Sequence, residues 1–261
     1  FVAILETQYV RSGNPLYKRL TKFWGKLFLI NYAMGVVTGI VMEFQFGMNW
    51  SEYSRFVGDV FGAPLAVEGL LAFFLESTLL GVWIFGWERI SKKLHCAVMW
   101  LVAIGGNLSA FWILVANGFM QNPVGYEIIN GRAQMTNFGA LLGNPRAIYL
   151  FLHTLTSGLV TGAFFLLGFS IYHLVRKHET EAFQKSFKLA AIIGLIATIS
   201  AVGTGHAQGV FLRDVQPMAA AASEAHYETQ DPADWSVIGI FDKTGKRLVW
   251  DVKIPKALSF L

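Results

Sequence analysis

The sequence predicts an all-α, polytopic transmembrane helix bundle carrying an extramembrane segment, and three observations predict it. Long apolar runs recur along the chain. Only 15% of its 261 residues are charged, against roughly 25% in soluble domains. Positive charge is gathered into three patches that occupy alternate gaps between the apolar runs. The first patch is Arg11, Lys18, Arg19, Lys22 and Lys26, the second Arg89, Lys92 and Lys93, and the third Arg176, Lys177, Lys185 and Lys188. The intervening gaps hold Arg55 alone, or Arg132 and Arg146. Short loops rich in Lys and Arg stay on the cytoplasmic side of a membrane. Successive loops therefore face opposite sides, and the net charge of +4 needs no nucleic-acid partner.

Each element follows from the length of its apolar run, since a span needs about 20 residues. The stub at 1–10, FVAILETQYV, reads as the tail of a helix. Five spans follow, at roughly 25–47, 62–87, 94–119, 147–175 and 187–205. Pro64 stands at a predicted helix start, where proline is tolerated. Residues 1–205 thus form the bundle. Residues 206–261 are polar and predicted to lie outside, with a hairpin in VIGIFDKTGKRLVWDV turning at Asp242, Lys243, Thr244 and Gly245. The chain opens at Phe1 and stops at KALSFL, and is expected to be truncated at both ends. Trp24, Trp50, Trp87 and Tyr172 fall near predicted interfaces, where amphipathic rings prefer to lie. The pairs Gly35/Gly39 and Gly158/Gly162 would admit a close neighbour. A single cysteine, Cys96, excludes an internal disulfide, a multi-cysteine metal site and thioether-bound haem.

Ionisable residues inside lipid are costly and usually functional. Glu68 and Glu76 lie in LAVEGLLAFFLEST, about 12 Å apart along an α-helix and about 80° apart around it. Both would face one interior, which suits a proton relay, or one carboxylate beside a metal fed by the other; a structural hydrogen-bonding role is the alternative. Ser77, Ser109 and Asn117 are candidate partners. His153, in YLFLHTLTSGLVTG, could ligate haem iron through one ring nitrogen or be a satisfied polar residue. Glu43 is interfacial or functional. His206, Glu224, His226 and Glu228 read, on residue type alone, as an ordinary solvated loop.

TKFWGKLFLINYAMGVVTGIVMEFQFGMNW, GDVFGAPLAVEGLLAFFLEST and NLSAFWILVANGFMQNPVG together resemble subunit I of the cytochrome bd quinol oxidases, and most of all its enterobacterial type. The resemblance implies a bacterial inner-membrane, electrogenic quinol:oxygen oxidoreductase that reduces O2 to water without pumping. It implies a low-spin haem b, a high-spin haem b and a haem d, with ubiquinol or menaquinol as substrate. It implies partnership with subunit II and with a small single-helix subunit. His153 matches the axial ligand of the low-spin haem, whose methionine partner would lie beyond residue 261. Glu68 matches the carboxylate beside the high-spin pair, ligating iron or gating protons. Glu76 matches the next carboxylate on a cytoplasmic proton path lined by Ser77, Ser109 and Asn117. Residues 206–261 match an incomplete periplasmic quinol-binding loop, with Glu224 as its acidic residue. Ala219 stands where the family usually has lysine, and the first-helix histidine and later helices are not in the sequence. Two rival readings are a di-haem quinol dehydrogenase, which would want a second deep histidine, and a proton-coupled transporter, which would want broken helices.

Overall fold

The computed structural model describes residues 1–245 and 247–260, and Lys246 of the predicted hairpin segment lies outside them. Two compact units divide the chain, Phe1–Ile199 and Ser200–Leu261. The first contains α1 (Val2–Ser12), α2 (Pro15–Gln45), α3 (Ser51–Val67), a π-helical segment (Glu68–Phe73), α4 (Phe74–Phe85) and α5 (Lys92–Gln121). A hairpin of β1 (Tyr126–Ile129) and β2 (Arg132–Met135), the short α6 (Phe138–Leu142) and α7 (Pro145–Val175) complete the order up to α8 (Thr180–Val215). Among the described residues, five helical stretches are long and apolar enough to cross a membrane, so the chain is a membrane protein built of helices.

Local chemistry sets the helix starts. Asn14, Ser91 and Asn144 each cap a helix by accepting from a backbone N–H, and Pro15 and Pro145 occupy first-turn positions whose missing N–H costs nothing. The three basic patches meet at one end of the unit. There Lys22 sits 4.9 Å from the Trp87 ring, Lys92 5.1 Å from Tyr9 and Lys185 5.0 Å from Tyr17. Arg19 pairs with Glu179 at 3.2 Å. One apolar core, including Leu5, Trp24, Trp83, Met99 and Phe183, lies towards this basic end, and a second, including Val60, Val115, Leu141 and Ala147, towards the other.

Four expectations need correcting. The second span begins at Ser51, not near 62, so Pro64 lies inside a helix rather than at its start. A proline there supplies no N–H and crowds the preceding turn, and the π segment opens only four residues later. The absence of a broken helix therefore no longer argues against a transporter. The last span runs to Val215, which puts His206 on α8 and not in a loop. Trp24 is 3% exposed and donates to Ser186 Oγ at 2.9 Å, so it is a core residue. Finally, of the two glycine pairs only Gly162 has a protein neighbour among the described residues, the Phe1 ring; Gly25, Gly118 and Gly194 make the tighter helix contacts.

In the second unit, α9 (Pro217–Ser223) precedes the antiparallel hairpin of β3 (Trp235–Phe241) and β4 (Leu248–Ile254), and α10 (Ala257–Phe260) follows. The predicted turn is present: Thr244 N–H donates to Asp242 Oδ1, and Gly245 takes a positive φ of 66°. Its alternating Val, Ile and Trp residues explain the strands.

Candidate functional site

The π segment places the two predicted carboxylates. A π turn takes in an extra residue, so the 80° offset of an uninterrupted α-helix does not hold between Glu68 and Glu76. Both nevertheless face α5. Ser109 Oγ donates to Glu68 Oε1 at 2.6 Å. One turn away on the same face of α5, Gly105 and Gly106 leave a shallow platform on which Glu76 rests; a Cβ on Gly106 would lie 3.1 Å from Glu76 Oε1. Glycine is needed there by contact rather than by backbone angle, because any side chain would push the carboxylate off its seat.

The two carboxylates differ in how they are satisfied. Glu68 is half-buried, with Glu43 near enough for their charges to interact. Glu76 is 9% exposed, and its carboxylate accepts no hydrogen bond among the described residues. Tyr32 of α2 lies within Coulomb range of Glu76, and its buried hydroxyl likewise has no hydrogen-bond partner. Buried polar groups are nearly always paired, and exceptions mark places where chemistry happens. Sequence reasoning missed Tyr32. Its signal was position: a lone phenol in an otherwise apolar stretch of α2.

The other predicted lining residues stand apart. Ser77 Oγ donates to the carbonyl of Phe74 on its own helix, not to a glutamate. Asn117 Oδ1 accepts from Gln121, whose Oε1 accepts from the buried Arg146 at 2.6 Å. Asn117 therefore belongs to a network at the end of α5 away from the basic patches. His153 is half-exposed on α7, and its carbonyl accepts from Thr156. An imidazole on a membrane-spanning helix fits the donor chemistry of a haem ligand.

In the second unit, Glu224 is half-buried at the end of α9 and Ala219 is exposed on that helix. His226 Nε2 donates to the carbonyl of Asp234 at 3.0 Å, and Glu228 is exposed. Asp234 accepts from the backbone N–H of Lys256 and from Gln230, which together hold its carboxyl below the usual range.

A sequence model described as cytochrome bd terminal oxidase subunit I matches residues 1–261. The chain belongs to the cytochrome bd terminal oxidase subunit I family. It is 53% identical over 261 residues to the cytochrome bd ubiquinol oxidase subunit 1 of Bacillus subtilis, covering 100% of this chain and 56% of that one. It is 46% identical over 263 residues to the cytochrome bd-II ubiquinol oxidase subunit 1 of Escherichia coli, covering 100% of this chain and 51% of that one. The structure of bd oxidase from Geobacillus thermodenitrificans superposes with a TM-score of 0.90 at 30% identity, over 99% of this chain and 60% of that one. The chain spans about half the length of the curated relatives it matches.

Proposed function

We propose that this chain forms part of a terminal respiratory oxidase, a quinol:oxygen oxidoreductase that builds charge across the membrane without pumping. The observation that carries the reading is the pair of membrane carboxylates against α5, in a chain that matches the family along all 261 residues. Of the rival readings, neither the di-haem dehydrogenase nor the transporter accounts for that match.

When bound, haem supplies one-electron transfer and an iron that takes O2. His153 would hold the iron of a low-spin haem b, and Glu68 would stand beside a high-spin haem b and a haem d. Glu76 and Tyr32, adjacent and unpartnered, are suited to hand on a proton arriving from the basic end, which is the cytoplasmic end on the charge rule. Ser109 fixes the Glu68 carboxylate and orients it for receipt. Asn117, tied into the Arg146 network, is not on that route. The segment after Val215 would be periplasmic and form part of the quinol site, with Glu224 accepting a quinol proton. The substrate would be ubiquinol or menaquinol, and the names of the two relatives favour ubiquinol. Subunit II, a small single-helix subunit and the lipid of the bacterial inner membrane complete the assembly.

The test uses the full-length protein in its assembled complex. Reduced-minus-oxidised spectra should show a red band from haem d and a low-spin b signal, and His153→Ala should abolish the latter. An unaltered b signal in that variant would remove His153 from the ligand set. A complex devoid of haem would sink the oxidase reading.

A further inference from the structure

A second buried carboxylate lies outside the proton route just described. Glu6 of α1 is 1% exposed, His95 of α5 3% and Trp83 of α4 2%. Trp83 Nε1 donates to Glu6 Oε2 at 2.8 Å, and His95 Nε2 donates to the carbonyl of Trp83 at 2.9 Å. His95 Nδ1 meets Glu6 Oε1 directly.

Counting protons identifies the state of this cluster. A backbone carbonyl only accepts, so Nε2 carries a hydrogen. An indole N–H only donates, so Oε2 is an acceptor. Two bare lone pairs cannot face each other in the remaining contact, so one proton lies between Nδ1 and Oε1. Whether that proton is drawn on the ring or on the carboxyl, the pair sums to zero charge. Every donor and acceptor is then used, which is the condition under which a buried polar network is rigid rather than costly.

The cluster's surroundings deny it an exchange route to Glu76. Leu80, Met99 and Val102, each 5% exposed or less, belong to the core on the same α4 and α5 faces between the two sites. Towards the basic end, Trp87 covers His95 with ring centres 4.2 Å apart, and Lys22 and Lys18 lie over the Trp87 ring.

Geometry gives the cluster a different task. Trp83 follows Glu76 by seven residues, about two turns and so the same face of α4. Gly106 follows His95 by eleven, about three turns and so the same face of α5. The cluster and the Glu76 seat thus lie on one α4–α5 seam. Glu76 itself sits in the first turn of α4, directly after the π segment. A π turn interrupts the hydrogen-bond ladder that would otherwise fix the rotation of α4, so the rotation must be set from the other end. Trp83 is where that happens: its side chain is bonded to α1, its carbonyl to α5, and its ring is wedged against Gly25 of α2, where even a Cβ would lie 2.3 Å away.

We propose that Glu6 and His95, joined by the hydrogen bond between them, form a clasp on Trp83 and are positioning residues that keep Glu76 on its glycine seat. The functional side of this rests on the reading of Glu76 as a proton carrier; the positional side does not.

The experiment uses the assembled complex and two readouts: the O2-uptake kcat and quinol KM, and the carboxyl C=O band of Glu76 in redox-difference infrared spectra, assigned by its loss in Glu76→Gln. Glu6→Gln supplies an amide oxygen to Trp83 and an N–H to His95 Nδ1. It should leave kcat and the band where they are, because the clasp needs the hydrogen bonds and not a transferable proton. His95→Leu should shift the band and lower kcat about ten-fold or more, with quinol KM unchanged. If His95→Leu fails to assemble, Trp83→Phe keeps the ring in the core, removes only the N–H, and should shift the band in the same direction. Loss of turnover in Glu6→Gln with the band unmoved would make Glu6 a proton carrier and overturn the proposal. So would an unmoved band in both His95→Leu and Trp83→Phe. Normal turnover in Glu76→Gln would instead sink the proton-carrier reading while leaving the band test of position intact.

Discussion

Glu6 and Glu76 are the same residue type buried in the same unit, and each packs on α5, yet they are opposites. Glu6 uses both carboxylate oxygens and is bonded to an indole and to a histidine that Trp87 covers. Glu76 has a glycine platform on one side, a phenol without a partner nearby, and no hydrogen bond of its own. The difference teaches that a carboxylate in a membrane helix is not by itself evidence of a proton route. A fully satisfied group is held in one state, because any change of protonation breaks several bonds in a low-dielectric setting. An incompletely satisfied one has no bonds to break before it can take a new partner, which suits a relay.

The largest expected effect tests that contrast directly. Glu76→Ala should lower O2 uptake by about 10²-fold or more, the scale of a lost acid–base group, while the low-spin haem spectrum stays intact. Oxygen-electrode assays with spectra on the same preparation check it. Near-normal turnover would place Glu76 in the structural class with Glu6.

Packing provides the next test. Gly25→Ala forces a methyl into the clamped Trp83 ring and should cost about 1–3 kcal/mol, as overpacking does, seen as a lowered thermal-unfolding midpoint of the complex. Gly35→Ala meets nothing among the described residues and should fall within about 0.5 kcal/mol of the parent. A large cost at Gly35 would reveal a neighbour beyond these residues seated on α2.

Much of the contrast was hidden in the sequence for identifiable reasons. The five apolar spans, the alternation of basic patches and the hairpin turn at Asp242–Gly245 depend on local composition and were legible. So was the common direction of Glu68 and Glu76, although the reason changed: the offset of an α-helix does not apply across a π segment, and contact with Ser109, Gly105 and Gly106 replaces it. Glu6 lies in a short terminal helix and His95 beside Lys92 and Lys93, so composition alone does not single out either residue. Only tertiary contact joins residues 89 positions apart. The end of α8 was misplaced because Gly203, Thr204, Gly205 and His206 resemble a loop in composition, while neighbouring helical turns carry them on to Val215.

A smaller effect separates Glu68 from both. Removing the Ser109 hydroxyl in Ser109→Ala takes away the hydrogen bond that Glu68 accepts among the described residues, worth about 1.5–3 kcal/mol when the acceptor is charged. The half-exposed carboxylate can recover part of this elsewhere, so turnover should fall less than in Glu76→Ala. A loss equal to that of Glu76→Ala would show that the hydroxyl itself carries the proton.

The smallest effect is expected at Asp234, a carboxylate as well bonded as Glu6 but open to water. Its carboxyl is held below the ordinary range chiefly by the Lys256 backbone N–H, then by Gln230. A carboxylate depressed in the folded state stabilises that state above the ordinary aspartate range and ceases to do so as pH falls through the folded value. The second unit should therefore hold Lys256 N–H protected from hydrogen exchange at neutral pH and release it in acid, and limited proteolysis around 230–256 should accelerate in step. Asp234→Asn should flatten that dependence, since an amide oxygen still accepts but no longer titrates. Exposure makes the difference from Glu6: water screens the charge and replaces lost partners, so the same hydrogen-bond count that locks α1 to α5 only tunes this surface turn. A pH-independent Lys256 amide would show that the count of bonds, without burial, sets nothing here.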